Sequence, residues 1–184
     1  MQLPQRLGGG IMLNNIQIRP ITLDDFDTVL RWSKDEKFCL ANGWKPKRNP
    51  IEIYRWWKNC VNNKDDDFLR LGIEFNHRLV GYADLAYIKE HSAELGVAIG
   101  ERVLWGKGIG YHSCIHMMEY GFKTLKITTY YAETHEANIR ARKLLDRLGF
   151  LETSRYGNGI FEGKESPLIQ YKKVFDVIGG NSDT

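Results

Sequence analysis

Three glycines at alternate positions stand in Trp105-Gly106-Lys107-Gly108-Ile109-Gly110-Tyr111, between an alternating apolar run, Ala93–Ile99, and a helix-like run, Tyr111–Phe122. A glycine-rich turn from strand into helix suits a phosphate. Glycine lets the backbone come close to a ligand and adopt conformations closed to other residues. The free N–H groups and the dipole of the following helix then attract an anion. A plain tight turn accounts for the same glycines equally well. Two nucleotide-site patterns do not fit. Lys107 is followed by Gly108 rather than Ser or Thr, so the hydroxyl that would hold Mg²⁺ in a Walker loop is missing. The glycines are spaced GxGxG rather than GxGxxG, and the strands ahead of them read as antiparallel, unlike a dinucleotide fingerprint.

Other chemistries find little support. Cys39, Cys60 and Cys114 are far apart and form no CxxC, which points to reduced thiols in a cytosolic protein rather than a disulfide framework. Cys114 lies on an apolar helix face and reads as packing. His112 and His116 are one helical turn apart without a third ligand, so no metal site is expected. Ser113 and Ser154 have no triad context. A net charge of +3 over 184 residues is mildly basic and admits an anionic ligand. No dense Lys/Arg cluster or RNA-binding aromatic signature calls for nucleic acid, and no apolar run approaches the ~18 residues of a membrane span.

The elements that must position the loop follow from pattern and caps. Ile16–Ile21 alternates and ends near Pro20, a short strand. Thr22, with Asp25 three residues on, offers a helix cap. Asn49-Pro50 starts a second helix with proline at its first position, and residues 35–48 between the two read as irregular. Phe68–Phe75, Leu79–Ile88 and His91–Ile99 are strands joined by short turns, hence antiparallel. After the loop come a helix (Tyr111–Thr124), a strand (Lys126–Thr134) rich in Thr and Tyr, and a helix (Ala137–Leu148) stopped by Gly149. The last strands are Phe150–Arg155 and Leu168–Phe175, around a Gly157–Gly163 turn. The order gives an α+β class, with about seven strands and about four helices. Residues 14–176 read as one domain. Residues 1–13, with Gly8-Gly9-Gly10 just ahead of Met12, read as a disordered leader or a mis-assigned start, and residues 177–184 as a flexible tail. A native mass that begins at Met1 would reject Met12 as the start.

Taken together, Ala93-Glu94-Leu95-Gly96-Val97-Ala98-Ile99, the glycine loop, and Asn138 with a helix ending Leu148-Gly149-Phe150 resemble the GNAT superfamily of acyl-CoA-dependent N-acyltransferases. The layout looks most like its ribosomal-protein alanine and spermidine acetyltransferase branch. The resemblance implies a mixed, mostly antiparallel sheet whose central strands, Ala93–Ile99 and Lys126–Thr134, splay to form an acetyl-CoA cleft. The pantetheine would pair with Val97, Ala98 and Ile99, and backbone amides from Trp105 through Gly106, Lys107, Gly108, Ile109 and Gly110 to Tyr111 would hold the pyrophosphate. Trp105 stands where the family's loop usually has Gln or Arg. Asn138 would bond the pantetheine, or else act as a helix cap.

The resemblance further implies an amine acetyltransferase in which Glu94 is the general base, although a surface strand carboxylate would look the same. The family's acid, a tyrosine seven residues after the Asn, is replaced here by Leu145. Tyr130 or Tyr131 would substitute, or solvent would protonate the thiolate. Asp84, His91, Glu133, His135 and Glu136 are further polar residues near the cleft. Trp44, Tyr54 and Trp57 would wall the acceptor site and suit a protein or peptide N-terminus, with a polyamine or aminoglycoside as alternatives. Core packing is the competing role for Trp57. The partners expected are acetyl-CoA and an amine, without metal, nucleic acid or membrane, in a cytoplasmic protein able to pair through its terminal strands. A non-catalytic acyl-CoA-binding module is the competing class.

Overall fold

The computed structural model describes residues 6–7, 11–12 and 15–175. Most of the leader and the whole of the tail expected from the sequence lie outside the described residues, although Arg6–Leu7 pairs antiparallel with Ile11–Met12.

The main body is an 8-stranded sheet. Its strands are β1 (Ile16–Pro20), β2 (Leu69–Phe75), β3 (Arg78–Lys89), β4 (Ser92–Ile99), β5 (Thr129–His135), β6 (Leu151–Ser154), β7 (Asn158–Phe161) and β8 (Lys164–Val174). The order is β1-β2-β3-β4-β5-β8-β6, with β7 paired to the start of β8. Every pairing is antiparallel except β4 with β5. The expected α+β class holds. The strand beyond expectation is β7, which the sequence hides in a glycine-rich stretch read as a turn.

Five helices flank the sheet: α1 (Phe26–Ser33), α2 (Glu36–Ala41), α3 (Pro50–Val61), α4 (Ile109–Leu125) and α5 (Ile139–Arg147). Their starts are fixed by caps. The Asp25 carboxylate reaches back to the Thr22 N–H at 2.9 Å, and Asn49 accepts the Ile51 N–H at 2.8 Å with Pro50 next to it. The unexpected helix, α2, has one turn and a half. It is too short to show a 3.6-residue period, but Asp35 caps it by accepting from the Phe38 N–H.

Two apolar clusters hold the faces. On one side α4 and α5 lay Ile109, Met117, Met118, Leu145 and Leu148 against inward residues such as Ile73, Leu85 and Tyr130. On the other, α1–α3 contribute Val29, Trp32, Phe38, Ile53 and Trp57 against Leu79, Tyr82 and Ala98. Burying side chains of this size stabilises the fold by about 1.5–3 kcal/mol each before entropy is charged. Cys39 and Cys114 are buried, and burial pushes the Cys114 thiol up to about 12, so it stays an inert packing group. No helix among the described residues is long and apolar enough to cross a membrane.

Candidate active site

The glycine loop ends in a left-handed step. Gly106 has φ +74° and Gly108 φ +86°, values that cost an L side chain about 1–2 kcal/mol. Gly108 is the N-terminal flank of α4, and the third glycine, Gly110, already lies inside the helix. The first bond of the helix runs from the His112 N–H to the Gly108 carbonyl at 3.1 Å. The N–H groups of Ile109, Gly110 and Tyr111 therefore have no acceptor within α4. All three residues line a cleft of about 550 Å³ that runs between the loop and α5. Its α5 wall carries Arg140, Lys143 and Arg147, which share one helical face. The cleft thus offers orphan donors, a helix N-terminus and fixed cations, a composition suited to a phosphate-bearing ligand.

The cleft continues to the place where β4 and β5 part. The two strands pair only through Ser92–Thr129, Ala93–Tyr130 and Glu94–Tyr131. On its other edge β4 pairs with β3 as far as Ile99, and the Gly100 N–H bonds the Val80 carbonyl. Antiparallel pairs alternate in which residues exchange bonds. That alternation turns the backbone groups of Gly96 and Ala98 toward β3, and those of Leu95, Val97 and Ile99 into the gap. The Ile99 carbonyl is taken by the Trp105 indole N–H at 2.7 Å. A second cleft of about 330 Å³ opens beside the gap, lined by Gly96, Val97, Glu133, His135, Leu145 and others. Val97 and Asn138 line both clefts. Asn138 caps α5, its Oδ1 accepting the Ala141 N–H at 3.1 Å, which leaves its amide N–H₂ free to donate.

Glu94, Tyr131 and Glu133 lie on the sheet face opposite α4. Glu94 is half-buried, and burial, with the nearby Glu133 charge second, holds its carboxyl above the usual carboxylate range. Glu133 lines the smaller cleft and Glu94 does not. Gln170 donates to Glu133 at 2.8 Å, and neither glutamate has a cationic side chain in salt-bridge reach among the described residues. Asp84, by contrast, is neutralised by Arg70 through bonds of 2.7 and 2.6 Å.

Several expected site residues lie elsewhere. Tyr130 is 0% exposed and its hydroxyl donates to the Met118 carbonyl at 2.6 Å, so it packs under α4 and cannot meet a ligand in the gap. Trp57 is also 0% exposed, with its indole N–H on the Thr22 carbonyl, and belongs to the core. The Trp44 indole donates to the Tyr82 hydroxyl, and Tyr54 packs edge-on to Phe26; neither lines either of these two clefts. Ala98 is buried with its polar backbone turned to β3, and Lys107 is exposed outside the cleft lining. Tyr131 is 43% exposed beside the Lys172 ammonium, also outside both linings. From the sequence Glu133 is only one of several polar residues near the cleft, and the basic face of α5 matches no motif. The spacing of Arg140, Lys143 and Arg147 on a helix was the available signal.

Residues 15–151 match the sequence profile of the acetyltransferase (GNAT) domain family. An uncharacterised protein of Methanocaldococcus jannaschii is 30% identical over 145 residues, 77% of this chain, and the chain spans 29% of that relative's length. Among solved structures, a Vibrio cholerae spermidine N-acetyltransferase in complex with CoA and spermine has a TM-score of 0.75 at 18% identity, covering 87% of this chain and 95% of its own. A domain from Methanocaldococcus jannaschii has a TM-score of 0.65 at 27% identity, covering 87% of this chain and 98% of its own.

Proposed function

This chain belongs to the acetyltransferase (GNAT) domain family, and on that premise we propose that it moves an acetyl group from acetyl-CoA to a primary amine within a ternary complex. One observation carries the reading: the unpaired edge of β4 from Leu95 to Ile99 runs into the orphan N–H groups at the start of α4. A pantetheine arm is an extended chain carrying amides; the Val97 backbone and the Ile99 N–H offer it partners as a neighbouring strand would, the Ile99 carbonyl being held by Trp105. The free Asn138 amide adds a donor. The N–H groups of Ile109, Gly110 and Tyr111 receive the diphosphate.

The acceptor amine must shed a proton, because an alkyl amine titrates near ~10.4 and is charged at neutral pH. Glu133 on the cleft wall takes that proton, with Glu94 beside it. Burial first, and the Glu133 charge second, hold the Glu94 carboxyl above its usual range. The amine nitrogen then bonds to the thioester carbonyl carbon, and the carbonyl oxygen gains the negative charge. The Val97 N–H, aimed into the gap, meets that charge. The C–S bond breaks and CoA leaves as a thiolate, whose conjugate acid resembles a thiol of pKa ~8.5. Leu145 places no donor beside the sulfur, so water carries the proton that the nitrogen still sheds as the amide forms to the departing thiolate.

Two carboxylates without counter-cations favour an acceptor that carries a second positive charge, a short polyamine. The aromatic wall once expected to greet a peptide N-terminus is largely spent, with Trp57 in the core and the Trp44 indole on Tyr82. The test is thiol release from acetyl-CoA with a linear polyamine, a monoamine of equal length and a peptide with a free α-amine. The reading expects the polyamine to be preferred and both Glu133→Gln and Glu94→Gln to lower turnover. Preference for the peptide would restore the N-terminal acceptor. Acetyl-CoA binding without release to any amine would replace the enzyme by a binding module.

A further inference from the structure

Resting on that cofactor reading, we infer that α5 carries a two-pronged phosphate clamp, in which Arg140 takes the diphosphate of acetyl-CoA and Arg147 the 3′-phosphate of its ribose. The two arginines are seven residues apart, so they share a helical face and stand about 10.5 Å apart along the axis. Both line the larger cleft. Each lies over an aromatic ring from the opposite wall. The Arg140 guanidinium is 3.6 Å from the centroid of the Trp105 ring, and that of Arg147 is 4.0 Å from the centroid of the Tyr111 ring. Trp105 and Tyr111 are the residues that bracket the glycine loop. The Trp105 ring is itself fixed by its bond to the Ile99 carbonyl.

Stacking holds a guanidinium by its π face and leaves the N–H fork in its plane unspent. Arg19, Arg31, Arg70, Arg102 and Arg155 each meet a carboxylate. Among the described residues neither Arg140 nor Arg147 has one in salt-bridge reach. A rigid, unspent fork on a cleft wall matches a phosphate bidentately. Partial desolvation holds Arg140 below its ordinary pKa, while the residue as a whole stays exposed to an incoming anion. At the second prong the Nε2 of His112 is buried without a partner, on a ring packed edge-on against Tyr111. That imidazole also feels the Arg147 charge.

The order of groups along α5 matches the order of groups in the ligand. Asn138, at the start of the helix, lines both clefts and marks the thioester end. Arg140 follows at once, and Arg147 closes the helix. Acetyl-CoA runs from thioester through pantetheine and diphosphate to the ribose phosphate. Lys143, between the prongs, adds charge without a stacking partner.

The test is a matrix of dissociation constants by calorimetry, using the full chain with acetyl-CoA, acetyl-dephospho-CoA and acetyl-pantetheine. Arg147→Gln should weaken acetyl-CoA by about 10- to 100-fold and leave acetyl-dephospho-CoA unchanged. Arg140→Gln should weaken both by a similar factor and leave acetyl-pantetheine unchanged. Arg140→Lys keeps the charge but loses the fork, and should recover only part of the loss. Equal losses for all three ligands in either variant, or no loss at all, would overturn the clamp. Wild-type protein that binds acetyl-CoA no better than acetyl-pantetheine would also overturn it, while leaving the thioester site in place. Wild-type protein that binds none of the three would overturn the cofactor reading itself.

Discussion

Substituting alanine at three glycines around the loop separates the two physical reasons a glycine can be required, lack of space and positive φ, from a position that needs neither. At Gly100 the backbone is ordinary but the space is taken. A Cβ there would stand 2.1 Å from the Trp32 ring, which is packed in the core and tied to Glu101. Overpacking of this kind costs about 1–3 kcal/mol. At Gly106 the space is empty, with no atom within 4 Å of a Cβ, but φ is +74°. The cost there is conformational, about 1–2 kcal/mol. At Gly110 neither obstacle exists. The nearest atom to a Cβ is Leu144 Cδ2 at 3.7 Å and the residue is helical, so alanine should stabilise by about 0.5–1 kcal/mol. For a chain of this size 1 kcal/mol moves the melting midpoint by about 2–4 °C. Thermal melts followed by circular dichroism should therefore show Gly110→Ala slightly above wild type and Gly106→Ala and Gly100→Ala several degrees below. A Gly110→Ala variant that loses as much as Gly106→Ala would refute the assignment of Gly110 to the helix. A neutral Gly100→Ala would refute the Trp32 contact.

Arg70→Met should destabilise by about 3–5 kcal/mol in urea melts, because it strands the Asp84 carboxylate in a partly buried site. Adding Asp84→Leu should recover most of that, and a single variant costing under about 1 kcal/mol would contradict the pairing. Asp25 is opposed by burial, but the Arg19 guanidinium and the Thr22 N–H outweigh it and hold the carboxyl below its usual range. Its contribution is therefore complete above the ordinary carboxylate pKa and is lost as pH falls through the lower folded value. Arg19→Leu should move acid unfolding, followed by circular dichroism, to higher pH; an unmoved midpoint would remove this pair from the account. Glu94 has the opposite sign. Its carboxyl is raised by burial and by Glu133, so wild type should lose stability relative to Glu94→Gln as pH climbs from the ordinary carboxylate range towards neutrality. Parallel stability curves for the two proteins would contradict the shift.

What the sequence made legible was local and repetitive. Strand alternation, the proline and asparagine at the start of α3, and glycines before and after helices are each set by a few neighbouring residues. They yielded the element order and the glycine loop. Alternation also placed Glu94 on the opposite face from Leu95 and Val97, but it could not say which face meets the ligand. That depends on β4 and β5 parting after Glu94, a tertiary fact with no local signature. Tyr130 and Tyr131 are adjacent and chemically alike. Only the position of α4 sends one hydroxyl to the Met118 carbonyl and the other to the surface. Trp57 was readable as core from its helical stripe, and the competing substrate role fell once the Thr22 carbonyl proved to be its partner. β7 and α2 were too short to show a period. The stacking of Arg140 and Arg147 joins residues 35 or 36 positions apart, beyond the reach of any sequence window.

In the proposed transfer, an acetyl thioester in the β4–β5 gap meets an amine deprotonated by the Glu94–Glu133 pair. The most direct measurement is single-turnover acetyl transfer from labelled acetyl-CoA to a linear polyamine, in wild type and in Glu94→Gln/Glu133→Gln. Acetyl-CoA affinity would be measured on the same samples. The proposed mechanism requires unchanged affinity with the transfer rate lowered at least about 100-fold in the double variant. Equal transfer rates in the two proteins would contradict it.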